Sequence, residues 1–417
     1  MLSLYLDHTD LRRAVSRVLA FLSMATASAG TALAADTYVQ PQAELRAETN
    51  SNFNFVPGGS SKSNVYGYIA ELQALIGIAT PRSDTSIRPR VKVQEYPDRK
   101  DFDRFEAFFD LRSEYRWERS KLLTIARYSQ EDTYNTETPG GGYDPNYPDD
   151  PGNADSGTIV VGETRTRYQI QPEFTFDLTE RTQAGVAADY ESARYDSGSV
   201  QTHVDYDYFE GSGFIRWALD PRSDFIVEAY GDRYETTDNS SETDAYGGRL
   251  GYEFRWSEVA GVAIEVNYEQ DDITEFVPVT TKESTEGWGG TVSAYRKGEV
   301  SAWRFSAGRL FDATGARSKS EVDQLRLQYD RDLTQRLTFT GAGRYEKRNS
   351  LSTGGGQGDD RDYARADLAL RWMMAPTWYL AGGYSYIWQD RQNAAGSADN
   401  NKLFVGFGYK ALNRQRR

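Results

Sequence analysis

The sequence predicts an all-β fold, a transmembrane antiparallel up-and-down β-barrel of about 18 strands. Three observations predict it. From about Val39 to Tyr409, segments of about ten residues alternate apolar and polar side chains. The connectors between these segments are alternately short and long. Mean hydropathy is only −0.69 although 13% of the residues are aromatic, with 28 Tyr and 8 Trp. A strand points successive side chains to opposite faces. In residues 104–117 the odd positions are Phe105, Ala107, Phe109, Leu111, Ser113, Tyr115 and Trp117, and every even position except Phe108 is charged. One face is oily and the other ionic, and no helical or sheet-on-sheet signal supplies a second oily layer. A closed barrel in lipid resolves this: hydrocarbon covers the outside, water fills the inside, and closure leaves no unpaired edge. After the N-terminus no run of about 18 apolar residues occurs, so helical spans are excluded.

In chain order, Arg12, Arg13 and Arg17 precede the apolar run Val18–Ala25, and small residues follow up to Ala32-Leu33-Ala34. This order predicts a secretory signal, residues 1–34, cleaved after Ala34. A short buried helix is the competing reading. Cleavage removes three Arg and two Asp from 48 basic and 62 acidic side chains, taking the net charge from −14 to −15. That balance argues against a nucleic-acid partner. The absence of Cys excludes disulfides and thiolate metal sites.

Residues 35–417 then form a single barrel domain. Its strands are predicted at 38–49, 64–79, 85–96, 104–117, 121–131, 163–177, 182–195, 206–218 and 225–236. The second half is predicted at 245–256, 260–271, 286–296, 300–311, 322–331, 337–348, 363–374, 378–389 and 402–411. Sixteen strands is the second-ranked count, because the pattern is less regular near residues 40 and 300. Tight connectors such as Thr80-Pro81-Arg82-Ser83-Asp84 suit periplasmic turns, and long ones such as 130–162 and 349–362 suit extracellular loops. An even strand count puts both termini in the periplasm.

The order of several motifs resembles the porin 2 group of β-barrel outer-membrane proteins. They are Tyr115-Arg116-Trp117-Glu118-Arg119-Ser120, Leu123-Thr124-Ile125-Ala126-Arg127-Tyr128, Glu163-Thr164-Arg165-Thr166-Arg167-Tyr168 and the Leu-Thr-x-Arg turns at 178–181 and 333–336. The resemblance spans most of the mature chain. It implies an outer-membrane location, a surround of lipid and lipopolysaccharide, delivery by the barrel assembly machinery, and exopolysaccharide export with its export components as partners. It supplies no catalytic residue and no cofactor. The last strand departs from the usual barrel end, because Lys410 to Arg417 follow its final aromatic residue.

Charge on the inner face is the strongest functional signal. On the lipid face an Arg near the midplane would cost about 2–4 kcal/mol. Arg88, Arg90, Lys92, Arg104, Glu106, Asp110, Arg112, Glu114, Arg116, Arg165 and Arg167 are therefore the pore-lining candidates. Arg249, Arg326, Arg344, Glu346, Arg365, Asp367 and Arg371 extend the pattern. Arg88, Arg90 and Lys92 have few acids on their own strand and are expected to be the least compensated wall. Two readings stay open: a polar channel, and a lumen sealed by its own salt bridges in a structural or adhesion barrel.

No enzyme is predicted. His203 lies near Ser197, Ser199 and Asp205, as a hydrolytic dyad would require, but neighbours in sequence do not make a triad. It is expected to be an ordinary polar loop residue. Neither HExxH nor a phosphate loop occurs, and the Gly clusters at 140–142 and 354–356 read as loop tips. The acidic loop 130–162 could bind divalent cations or fold inward as a constriction. A TonB-dependent receptor is disfavoured, because no plug-length segment precedes the first strand.

Overall fold

The computed structural model describes residues 35–53, 55, 64–136, 162–196, 203–276, 280–315, 319–351, 360–391 and 396–411. The expected signal segment and its cleavage point lie outside them. Eighteen strands follow one another: β1 Asp36–Asn50, β2 Val65–Ala79, β3 Ser83–Glu95, β4 Arg104–Arg116, β5 Ser120–Asp132 and β6 Thr164–Asp177. Then come β7 Thr182–Asp196, β8 Tyr206–Asp220, β9 Ser223–Thr236, β10 Ser241–Ser257, β11 Ala260–Glu275 and β12 Thr281–Lys297. The last six are β13 Ser301–Ala313, β14 Lys319–Asp332, β15 Leu337–Ser350, β16 Arg361–Met373, β17 Trp378–Arg391 and β18 Ala398–Lys410. One helical turn, α1 Thr133–Thr136, extends β5. Each strand pairs antiparallel with its successor, and β1 pairs with β18 from Gln42↔Lys410 to Asn50↔Lys402. The sheet is closed, with 18 strands rather than 16.

The outer face carries the oily residues. Leu45, Leu72, Val186, Leu250, Leu368 and Val405 are all exposed there. Trp117, Trp217, Trp256, Trp303, Trp372 and Trp378 lie near the short turns, as amphipathic rings at a membrane boundary should. Three of the short turns share a device. The hydroxyls of Thr80, Thr179 and Thr334 accept hydrogen bonds from the backbone amides of Ser83 (2.9 Å), Thr182 (3.0 Å) and Leu337 (3.0 Å). This gives the Leu-Thr-x-Arg turns a backbone reason. Two prolines interrupt the ladder where their missing N–H would donate. The β2–β3 register skips the partner of Pro89, and the β6–β7 register skips that of Pro172.

The seam between the last and first strands is locked by an aromatic ring. Tyr379 on β17 faces Gly408 on β18, and its ring occupies the space a Cβ at position 408 would need. Its hydroxyl donates to Glu44 on β1 at 2.7 Å. Gly408→Val should therefore overpack the seam and destabilise the barrel by about 1–3 kcal/mol. The measurement is the temperature at which the folded, fast-migrating gel band converts to the unfolded one. An unchanged temperature would show that the ring can move aside.

Candidate functional site: the barrel lumen

All eleven pore-lining candidates sit on the inward-facing rows of β3, β4 and β6. The expectation that Arg88, Arg90 and Lys92 form an uncompensated wall is corrected by β4. Lys92 Nζ lies 3.0 Å from Glu106, Arg88 stands opposite Asp110, and the Arg90 guanidinium stacks 3.7 Å above the Phe108 ring. Those partners lie on the adjacent strand, not along β3 itself. The stacking also accounts for Phe108, the apolar exception on an ionic face.

The lumen changes character along its length. Toward the short turns its charged side chains meet water: Arg116 is 70% exposed and Arg112 55%, with Glu114 between them bonded to both. Arg255 and Glu265 are similarly open on β10 and β11. Toward the long loops the same rows are packed. Arg104 retains 3% of its side-chain exposure, pairs with Asp132 at 2.8 Å, and lies over the rings of Phe53 and Tyr134. Glu106 and Arg165 are buried, and Arg167 is bound to Glu191. These upper residues face inward but do not line open water.

Two clusters of buried side chains gather at the loop end of the barrel. In the first, Phe53 stacks on Tyr134 from α1 at 4.2 Å and on Phe102 at 4.5 Å, with Tyr96 edge-on at 5.1 Å. The start of the acidic loop thus turns inward through Tyr134. Residues 137–161 lie outside the described residues, and so does the expected cation site. Among the described residues no group of three or more His, Cys, Asp or Glu is placed to hold a metal. In the second cluster, Lys319 at the top of β14 reaches Asp232 on β9 (3.1 Å) and Glu269 and Asp271 on β11 (2.6 and 2.9 Å). Tyr230 donates to the other oxygen of Glu269 at 2.8 Å.

His203 is no ordinary polar loop residue. It is buried, its Nδ1 lies 2.5 Å from Glu163, and its ring stacks on Tyr195 at 4.7 Å. It joins the strand entrances of two loops. Ser197 and Ser199 lie outside the described residues, and Asp205 instead accepts the backbone N–H of Tyr195 at 2.7 Å.

Charge is divided by sector. Arg326 on β14 stands opposite Arg344 on β15, which stands opposite Arg365 on β16. Arg344 pairs with Glu346 and Arg365 with Asp367, both at 2.8 Å, while Arg326 makes no ion pair among the described residues. On β8 to β11 the balance reverses: Arg249 serves both Glu210 (3.4 Å) and Glu228 (3.3 Å), with Glu265 at 4.0 Å.

No family model matches the sequence, and no curated protein matches it, so the porin 2 resemblance rests on its motifs alone. Solved structures give similar barrels. OpdL of Pseudomonas aeruginosa is 12% identical, with 90% of this chain and 99% of that chain covered and a TM-score of 0.41. OccK2 (OpdF) of the same organism, solved in complex with glucuronate, is 12% identical over the same shares with a TM-score of 0.45. OccAB3 of Acinetobacter baumannii is 11% identical over 90% and 99%, with a TM-score of 0.43. The likeness is one of barrel form, and no residue role is taken from it.

Tyr134 offers a pH test outside the wall strands. Burial, then the nearby Glu48 carboxylate, pushes its phenol from 10.0 up to about 12, and Asn50 donates to it at 2.7 Å. A raised folded-state value means full stability below about pH 10, lost as pH climbs toward about 12. Tyr134→Phe keeps the stack on Phe53 and should flatten that alkaline decline. It should also cost about 1 kcal/mol at neutral pH, because Asn50 loses its acceptor. Thermal midpoints of both proteins across this range decide. Parallel declines would show that Tyr134 ionises freely.

Proposed function

We propose that the chain is an outer-membrane channel for passive passage of small hydrophilic, charged solutes, with no covalent chemistry. The observation that carries this reading is the water-exposed charge of the lower lumen. Side chains such as Arg112 and Arg116 stay open inside the barrel, where a sealed salt-bridge core would have buried them. Sectors of opposite sign create a field across the lumen that orients a charged or dipolar solute. The outer-membrane location is supported by the signal-like N-terminus, the even strand count and the tryptophans at the turn end. Lipid, lipopolysaccharide and the assembly machinery follow as partners from that location. Polysaccharide export rests on the porin 2 resemblance alone.

The packed upper lumen favours a second reading, a structural or adhesion barrel with a closed lumen. Conductance of the purified mature chain in planar bilayers separates the two. The channel reading expects discrete single-channel steps; a silent bilayer containing folded protein supports the closed barrel. In a conducting pore, Arg112→Gln/Arg116→Gln should shift the reversal potential toward cations. The shift should be larger at about 0.1 M salt, where the screening length is about 10 Å, than at about 1 M, where it is about 3 Å. Equal selectivity in both proteins would remove these residues from the rate-limiting path.

A further inference from the structure

Among the described strands, the β12–β13 ladder is the shortest. It runs from Lys297↔Ala302 to Gly290↔Arg309 and stops. Above that point β12 stays bonded to β11 as far as Thr281, and β13 stays bonded to β14 as far as Ala313. Residues 284–289 therefore present an edge that β13 does not pair. Glycine builds the fork: Gly290 has φ +154°, and a Cβ on Gly289 would lie 2.8 Å from the Arg309 carbonyl oxygen.

Above the fork β13 passes to the lumen side of β12. The Phe311 ring lies over Gly287, where a Cβ would approach it to 2.7 Å. Ala313 packs against the Tyr206–Tyr234 cluster. Tyr234 donates to the Thr314 carbonyl at 2.7 Å, and the Val204 N–H to that of Gly315 at 2.9 Å. Lys319, paired with Ala313 across the hairpin, is held by its three carboxylates. Meanwhile Trp288 on the free edge is 67% exposed.

We infer that the upper arm of β13, with its β14 partner, has two seats, and that β12 is the second. In the wall seat the existing register continues from Gly289↔Leu310 to Glu286↔Ala313. The open edge is then paired, which removes a liability of exposed strands. Phe311 leaves Gly287 and joins Trp288 as a cross-strand aromatic pair on the outer face. The arm vacates the upper lumen, so the exchange gates the channel. This gating role rests on the channel reading. Lys319 is the pin of the lumen seat, because leaving strands three carboxylates together.

The chain has no Cys, so Glu286→Cys/Ala313→Cys creates a single possible disulfide that reports the wall seat. Under mild oxidation it should form, and roughly tenfold faster when Lys319→Gln removes the buried charge that holds the arm. Conductance of the oxidised pore should exceed that of the reduced pore by at least roughly twofold. Absence of the crosslink in both backgrounds, with heat-modifiable gel mobility showing an intact barrel, overturns the second seat. A crosslinked pore that conducts as the reduced one does overturns the gate alone. A crosslinked protein silent in both redox states overturns the channel reading and the gate with it.

Discussion

Every backbone N–H and C=O at membrane depth must find its partner inside the protein, because hydrocarbon offers none. That requirement, met by the β1–β18 ladder, is what the rest of the structure depends on. Once the sheet is closed, period-two geometry assigns each side chain to lipid or to lumen, and a shift of one residue would exchange the two sets. The ring of Tyr379 on Gly408 and its hydroxyl on Glu44 brace the joint at which a slip would open the wall. At three of the short turns, Thr hydroxyls bond the chain back on itself and help hold the hairpin in register.

Closure also collects charge. Side chains barred from lipid meet inside, and their fate depends on how many neighbours crowd them. Near the turns, Arg112 and Arg116 keep their water. Near the loops, segments that return into the barrel exclude it, and a buried charge there needs a partner. Hence Arg104 with Asp132, Lys402 with Glu48 at 2.7 Å, and Lys319 with three carboxylates. One wall thus yields a wet charged vestibule and a packed mouth.

The sequence makes legible whatever depends on spacing along one strand. All eighteen strands lie close to their expected positions, because alternation is local. The largest offset is at β12, whose upper end begins at Thr281 rather than near 286; β10 and β18 begin four residues early, at Ser241 and Ala398, and β11 ends four residues late, at Glu275. Those ends are mostly polar on both faces, so little alternation marks them. Contacts between distant segments left no local trace. Glu163 and His203 meet across 40 residues, and Lys319 meets Asp232 across 87. The compensation of Arg88 and Lys92 lay on the neighbouring strand, beyond the reach of a count made along one segment. The fork in β12 does leave a local signal: Gly287-x-Gly289-Gly290 lies inside a strand pattern, where glycine marks a bulge or a close approach.

The central claim is that one wall separates lipid from a water-filled charged interior. Single Cys substitutions along β4, in a chain with no other Cys, test it most directly. In the folded protein in bilayers, Cys at Asp110, Arg112 and Glu114 should react with a small water-soluble maleimide. Cys at Phe109, Leu111 and Tyr115 should be protected from it and quenched, once labelled, by lipid-borne quenchers. Alternation of the two signals residue by residue is the predicted result; uniform reactivity, or uniform protection, on both faces would contradict the account.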